Sequence, residues 1–193
     1  MGRNINTSLV GLYDPQDNDL TIDMWKRSDG DQINSLVDKI LKMELSNDAH
    51  EIFKIAILTN SYIPKNNMDE KKFNKYKINY LIKKNDFNLI NEFLLKNKTL
   101  ENNHQLIIKY VDNFLINGNL DKSCELLNDS DLIFENNYLE KFKIYCLINY
   151  NKRNEAQLYF DLKKERGFKD KFFEDKYEYL LGYKDKPSSN TSE

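Results

Sequence analysis

The chain has 193 residues, of which 40% are hydrophobic and 31% charged, and its 29 basic residues nearly balance 31 acidic ones. A chain of this length can bury a core without metals or disulfides, and its balanced charge excludes a general electrostatic attraction to nucleic acid or anionic membranes. Six glycines and three prolines are few for a sandwich or a barrel, so the composition favours a helical protein.

Residues 1–27 show neither helical nor strand periodicity. The apolar residues Leu9, Val10 and Leu12 precede a turn at Asp14-Pro15. We therefore predict an extended N-terminal arm, residues 1–27, that packs along the first helices. The sequence contains no apolar run long enough to span a membrane and no visible signal peptide, which predicts a cytoplasmic protein.

Two helices are predicted next. The first begins near Ser28 or Asp29 and places Ile33 and Val37 on one apolar stripe. The second is capped by Ser46 or the residue after it. Its sequence is apolar almost all round, so we expect it to be the most buried helix of the protein.

Seven further helices follow with short connections. The third opens at Asp69, and residues 85–86 end it and cap the fourth. The fifth ends before Gly118, which suits a left-handed helix end. Four more helices continue to residue 183, and a polar tail, residues 184–193, is predicted to be disordered. Residues 28–183 therefore form one all-α domain of antiparallel helix pairs.

The phrase Leu-Ile-x-x-Asn occurs three times in this domain, at residues 81–85, 115–119 and 147–151. The steps of 34 and 32 residues are typical of paired-helix repeats. We expect Leu-Ile to end the first helix of each unit and Asn to lie in the turn to the second.

Residues 115–127 resemble the inter-helix turn of a tetratricopeptide repeat. The resemblance covers about residues 70–165 and implies a short, degenerate TPR-like α-solenoid. It places Ile90, Cys124 and Ala156 where the two helices of a unit approach closely. The signature Trp, the Leu-Gly of the first helix and the closing Pro of that family are absent.

A second resemblance spans more of the chain. The segments 24–25, 145–147, 161–165, 172–173 and 180–182 follow an order that is similar to a group of uncharacterised bacterial helical-repeat proteins. This resemblance implies the helical-repeat fold and no particular activity.

The two cysteines, Cys124 and Cys146, lack a CxxC spacing. Both fall on apolar helix faces, where free cysteine behaves as a small hydrophobic residue. We expect free thiols in the core, which fits a reducing compartment.

Catalytic, metal-binding and cofactor-binding motifs are not recognisable in the sequence. His50 and His104, the only histidines, lie on different predicted helices without a ligand partner one turn away. We therefore predict a non-enzymatic protein without a cofactor. An enzyme whose groups converge from distant positions is an alternative hypothesis.

A helical-repeat protein of this kind is expected to act as an interaction or scaffold module that binds a peptide or protein partner in a groove. Tyrosine suits such grooves because it combines a large rigid ring with a polar tip. The candidate contact residues are Tyr62, Tyr110, Tyr138, Tyr150 and Tyr183.

The third helix suggests an alternative, nucleic-acid-associated function. Its candidate contacts are Lys71, Lys72, Lys75 and Lys77. Aromatic residues lie between these lysines, and basic residues interleaved with aromatics bind single strands by phosphate contact and stacking. The competing interpretation is that the aromatics are core and the lysines form a solvated face.

Overall fold

The computed structural model describes residues 9–98, 103–128, 134 and 136–185. Contacts divide the chain into two compact units, Met1–Tyr110 and Val111–Glu193. The boundary lies inside one helix, so each unit contributes part of it.

The regular secondary structure of the described residues is helical, and pairing between extended segments is limited to two isolated β-bridges. The all-α prediction is therefore confirmed. The α-helices in the described ranges are α1 Gly30–Ile40, α2 Asn47–Leu58, α3 Glu70–Lys84, α4 Phe87–Lys96, α5 His104–Ile116, α6 Leu120–Leu127, α7 Asn137–Asn149, α8 Arg153–Glu165 and α9 Lys171–Leu180. None of them is long and apolar enough to cross a membrane.

Side-chain caps set most of the helix starts. In each case a side-chain oxygen accepts a hydrogen bond from a backbone N–H of the first turn, a group that the helix itself leaves unpaired. The capping residues of α1, α2, α3, α4, α6, α7 and α9 are Asp29, Ser46, Asp69, Asp86, Asn119, Asn136 and Asp170. The starts predicted for the first four helices are confirmed.

The prediction that the second helix is the most buried is wrong. Only Ile57 and Leu58 of α2 are buried, and Ile52 is 70% exposed. Burial increases along the helix, from exposed residues 51–52 through half-buried residues 53–56 to the buried C-terminal end, so its nearly continuous apolar composition does not correspond to continuous burial.

The repeated phrase lies where the sequence places it, at the ends of α3, α5 and α7. The chain turns through a residue with positive φ each time, 57° at Asn85, 71° at Gly118 and 59° at Asn151. Glycine and asparagine adopt this left-handed conformation at least cost. The phrase is thus a helix-end signal, repeated between consecutive helices.

The arm forms part of the first unit. Val10 and Leu12 are buried, as expected for an arm that packs against helices. The backbone of Leu12 donates to the carbonyl of Leu58 at 2.6 Å, and Asn60 donates to the carbonyl of Tyr13 at 3.0 Å. The arm therefore pairs with the segment that follows α2. Residues 1–8 and 186–193 lie outside the described residues, and the predicted boundaries of arm, domain and tail stay predictions.

The second unit has a core built from α7, α8 and α9. Its buried members are Ile144, Leu147, Ile148, Ala156, Phe160, Tyr177 and Leu181. Phe160 lies at the centre, with its ring 4.2 Å from that of Tyr177 and 5.8 Å from that of Phe173. These ring contacts pack α9 against α8, and aliphatic residues of α7 complete the core.

The prediction of free cysteines is wrong. Cys124 of α6 and Cys146 of α7 form a disulfide, and both residues are fully buried. The cysteines lie 22 residues apart on different helices. Only the packing of α6 against α7 brings them together, which sequence spacing alone does not reveal.

Candidate interaction surface

An apolar groove of about 400 Å³ runs between α7 and α9 in the second unit. Its lining residues are Ile144, Tyr145, Ile148, Phe172, Phe173, Lys176, Tyr177, Tyr179 and Leu180. The volume is within the range of about 300–1,000 Å³ that is typical of ligand sites. Lys176 carries the only charge on this lining.

The groove exists because α9 has more apolar residues than one helix face can bury. Phe173 and Tyr177, one turn apart, face the core beside Phe160. Neighbouring residues on a helix point about 100° apart. Phe172 and Leu180 therefore lie off the buried face, and Phe172 is 72% exposed.

A row of aromatic rings extends this surface along α7. The rings of Tyr138 and Phe142 are stacked at 6.4 Å, and those of Phe142 and Tyr145 at 5.9 Å. The Tyr138 hydroxyl donates to the Asp112 carboxylate at 2.5 Å. Burial and this hydrogen bond raise the pKa of Tyr138, so the phenol stays protonated. The row leads from the start of α7 into the groove.

Lys176 is the polar group at the rim. Its Nζ lies 5.6 Å from the centre of the Phe172 ring, a cation–π contact. It forms no ion pair with a carboxylate of the described ranges, whereas Lys171 of the same helix pairs with Asp175 at 3.1 Å. Lys176 is thus placed to meet a negative charge from outside.

The groove floor holds a second unused polar group. The Tyr177 hydroxyl is buried and has no hydrogen-bond partner among the described residues. Burial raises its pKa to about 12. An unpaired buried hydroxyl costs roughly 1–3 kcal/mol, so the Tyr177 oxygen lowers the stability of the second unit.

A more polar groove of about 330 Å³ lies between α7 and α8. One of its two buried lysines, Lys163, is paired with Glu140 and donates to Asn137 Oδ1 at 3.3 Å. The Lys163 charge is therefore satisfied inside the unit. This arrangement stabilises the α7–α8 contact and leaves less for a partner to recognise.

The predicted tyrosines are scattered. Tyr183 is exposed just beyond α9, and Tyr138 begins the aromatic row on α7. Tyr150 is half-buried, and its hydroxyl donates to the Asp121 carbonyl at 3.3 Å. Tyr62 is exposed in the first unit, whereas Tyr110 is only 2% exposed and belongs to the core. None of the five predicted tyrosines lines the groove.

Sequence reasoning missed the residues that line the groove. Phe172 and Leu180 are not among the predicted contact residues, which are all tyrosines. The adjacent apolar pairs 172–173 and 180–181 carry the signal that identifies them, because only one member of each pair can point into the core.

The basic third helix lacks a stacking surface. The aromatic residues between its lysines, Phe73, Tyr76 and Tyr80, are buried, as the competing interpretation requires. Lys77 is 1% exposed and cannot reach a phosphate. Lys71 and Lys75 are exposed. Lys72 forms an ion pair with Asp31, with Nζ 3.9 Å from Oδ1.

The described residues contain no cluster of three or more His, Cys, Asp or Glu that could hold a metal ion. His50 and His104 lie on α2 and α5, in separate sites. Comparison with known proteins finds no matching family model, no matching curated protein and no matching solved structure.

Proposed function

We propose that this protein is a non-enzymatic interaction module that binds an amphipathic helical segment of a partner protein in the α7–α9 groove. The observation that carries the proposal is the exposed apolar rim, with Phe172 at 72% exposure beside a groove of about 400 Å³. Contiguous exposed apolar surface of this kind is typical of interaction sites. The repeated helix pairs α3–α4, α5–α6 and α7–α8 would be degenerate TPR-like units.

The lining defines the chemistry of the partner. A helix that lies along α7, which has 13 residues, offers apolar side chains at i, i+3, i+4 and i+7 to such a groove. Lys176 would pair with an Asp or Glu of the partner at the edge of that apolar face.

Selection from a displayed library of helical peptides tests this proposal, with the purified protein as bait. We expect selected peptides to bind with micromolar affinity. Phe172→Ser should weaken binding at least about tenfold, because it removes the largest exposed ring of the rim. Ile52→Ser is the matched control, since Ile52 is 70% exposed on α2 and lies outside the groove. Peptides whose binding both substitutions leave unchanged would contradict the proposal.

A charge exchange tests the orientation of the partner. Lys176→Glu should weaken the binding of a selected acidic peptide by about 1 kcal/mol, because it replaces an attraction between opposite charges with a repulsion between like charges. A peptide with Lys in place of its Glu should recover that loss with Lys176→Glu and bind the unaltered protein poorly. Equal losses for both peptides would show that Lys176 does not face the partner.

The nucleic-acid alternative receives less support, since the aromatics of α3 are core residues. The expected cytoplasmic setting was inferred from the lack of a visible signal peptide or membrane-spanning run, and the expected free thiols agreed with it. With Cys124 and Cys146 bonded, an oxidising compartment becomes the better proposal, because structural disulfides persist where thiols are not kept reduced. Alkylation of the protein in extracts of its native cells, without reductant, tests this proposal.

A further inference from the structure

The arm of the first unit is held by side chains that bind its backbone. The Asn97 amide donates to the Gly11 carbonyl at 3.0 Å and accepts from the Gly11 N–H at 3.0 Å. Lys96 Nζ donates to the next carbonyl, that of Leu12, at 2.8 Å. Both side chains come from the C-terminal end of α4. These side chains therefore hold the arm through its backbone N–H and C=O groups.

Lys77 of α3 makes the third and most unusual of these contacts. Its Nζ donates to the carbonyl of Val10 and, at 3.1 Å, to that of Thr59. It also lies 5.2 Å from the centre of the Phe73 ring. The residue is 1% exposed. An ammonium group in this position has left water without meeting a carboxylate of the described residues.

The charged and titratable groups around Lys77 are few. Glu70, an exposed residue on α3, and Tyr62, from the segment after α2, line the same small cavity. Lys96 of α4 faces the arm two residues further along. The arm contributes no titratable group between Leu9 and Leu12. None of these groups forms an ion pair with the buried amine.

Burial without a counter-ion disfavours the charged form of an amine. It lowers the pKa of Lys77 to about 7. Protonation near neutral pH therefore places an uncompensated charge in the core, which favours a conformation that exposes the amine to water. Two non-helical segments cover Nζ, the arm and residues 59–63, and both line a cavity of about 70 Å³ beside it. The second segment is tied to α2, because the Thr59 N–H and hydroxyl both donate to the Ile55 carbonyl. The arm is therefore the segment whose release hydrates the amine most directly.

We propose that Lys77 is a pH-responsive latch, which holds residues 9–13 on α3 and α4 when its amine is neutral and releases them when it is protonated. The sign follows from proton binding. The released state binds the proton more tightly than the latched state, so acid favours release and alkali favours closure.

Amide hydrogen exchange of the full chain tests the latch. The reporters are the N–H groups of Gly11, Leu12 and Asn60, which bond across the arm. After correction for intrinsic exchange rates, we expect their protection to fall about 30-fold from pH ~8.5 to pH ~5.5, as linkage with pKa values of about 7 and about 10.5 requires. Amides of α8 serve as the internal reference.

Two substitutions separate the latch from ordinary packing. Lys77→Met removes the titrating group and should abolish the pH dependence of arm protection. Lys96→Met is the matched control, because it also removes a hydrogen bond to an arm carbonyl, and it should lower protection equally at both pH values. A pH dependence that persists in Lys77→Met would overturn the proposal.

A direct titration covers the case in which Lys77→Met does not fold. The NMR signal of the Lys77 Cε in the unaltered protein should titrate near neutral pH, at least about two units below those of exposed lysines. A Lys77 amine that stays protonated up to about pH 10 would exclude the latch.

Discussion

The hydroxyl groups of two tyrosines in the second unit differ in their hydrogen bonding. The Tyr177 hydroxyl is buried at the groove floor and has no partner among the described residues. The Tyr138 hydroxyl, on the same surface, donates to Asp112 at 2.5 Å. The two phenols therefore differ in what their oxygen atoms contribute to stability, although both rings belong to the aromatic surface of the second unit.

Removing these hydroxyls should have opposite effects on stability. Tyr177→Phe is expected to raise the free energy of unfolding by about 1 kcal/mol, since it removes an unpaired buried group. Tyr138→Phe is the matched control and should lower the free energy of unfolding by about 1 kcal/mol. Urea denaturation measures both, and equal signs would contradict this assignment.

Gly11 is required for the close approach of the arm. A Cβ at this position would lie 2.6 Å from Asn60 Oδ1 and 2.7 Å from the Leu58 carbonyl. Gly11→Ala should therefore destabilise the protein by about 1–3 kcal/mol, as overpacking does. Thermal unfolding followed by Trp25 fluorescence measures this loss.

Gly167 supplies the contrast. Its φ is +88°, and nothing lies within 4 Å of an added Cβ, so only its conformation matters. Gly167→Asn should be tolerated better than Gly167→Ala, because asparagine adopts the left-handed region more readily. At position 11, asparagine should be no better than alanine. If asparagine gives higher stability than alanine at both positions, position 11 also requires a left-handed backbone, and the close contacts are not the whole reason for Gly11.

At the scale of elements, the disulfide joins α6 to the helix that forms one wall of the groove. Cys146 stands next to Tyr145, which lines the groove. Closing a loop between cysteines 22 residues apart limits the unfolded chain and should stabilise the second unit by about 3 kcal/mol.

The double substitution Cys124→Ser with Cys146→Ser should lower the free energy of unfolding by about that amount, about 3 kcal/mol, and should weaken peptide binding to the groove. Mass spectrometry after alkylation in denaturant is the supporting measurement. Without reductant, no thiol of the unaltered protein should react. Two alkylated cysteines under these conditions would exclude the disulfide.

The comparison of sequence with structure is also clearest at this scale. Helix starts were predictable because a cap such as Asp29 or Asp69 acts within one turn of itself. The burial of α2, the pairing of Cys124 with Cys146 and the groove were not. Each depends on which helix lies alongside another, and neither periodicity nor spacing contains that information.

At the scale of the whole molecule, each compact unit has its own buried cluster. The first unit contains the arm and α1–α4, and the second contains α6–α9. The single tryptophan, Trp25, packs edge-on against Phe73 with ring centres 6.1 Å apart, so its fluorescence reports on the first unit. The disulfide and Phe160 belong to the second unit.

We expect the two units to respond separately to destabilisation. Phe160→Ala should cost about 3–5 kcal/mol, because it leaves a cavity at the centre of the second core. In thermal unfolding it should move part of the far-UV circular dichroism transition to lower temperature. The midpoint of the Trp25 fluorescence transition should stay unchanged. Gly11→Ala should do the reverse and shift the fluorescence midpoint. If each substitution moves both signals to the same midpoint, the chain unfolds as one cooperative body, and stability lost in one core is then shared by the other.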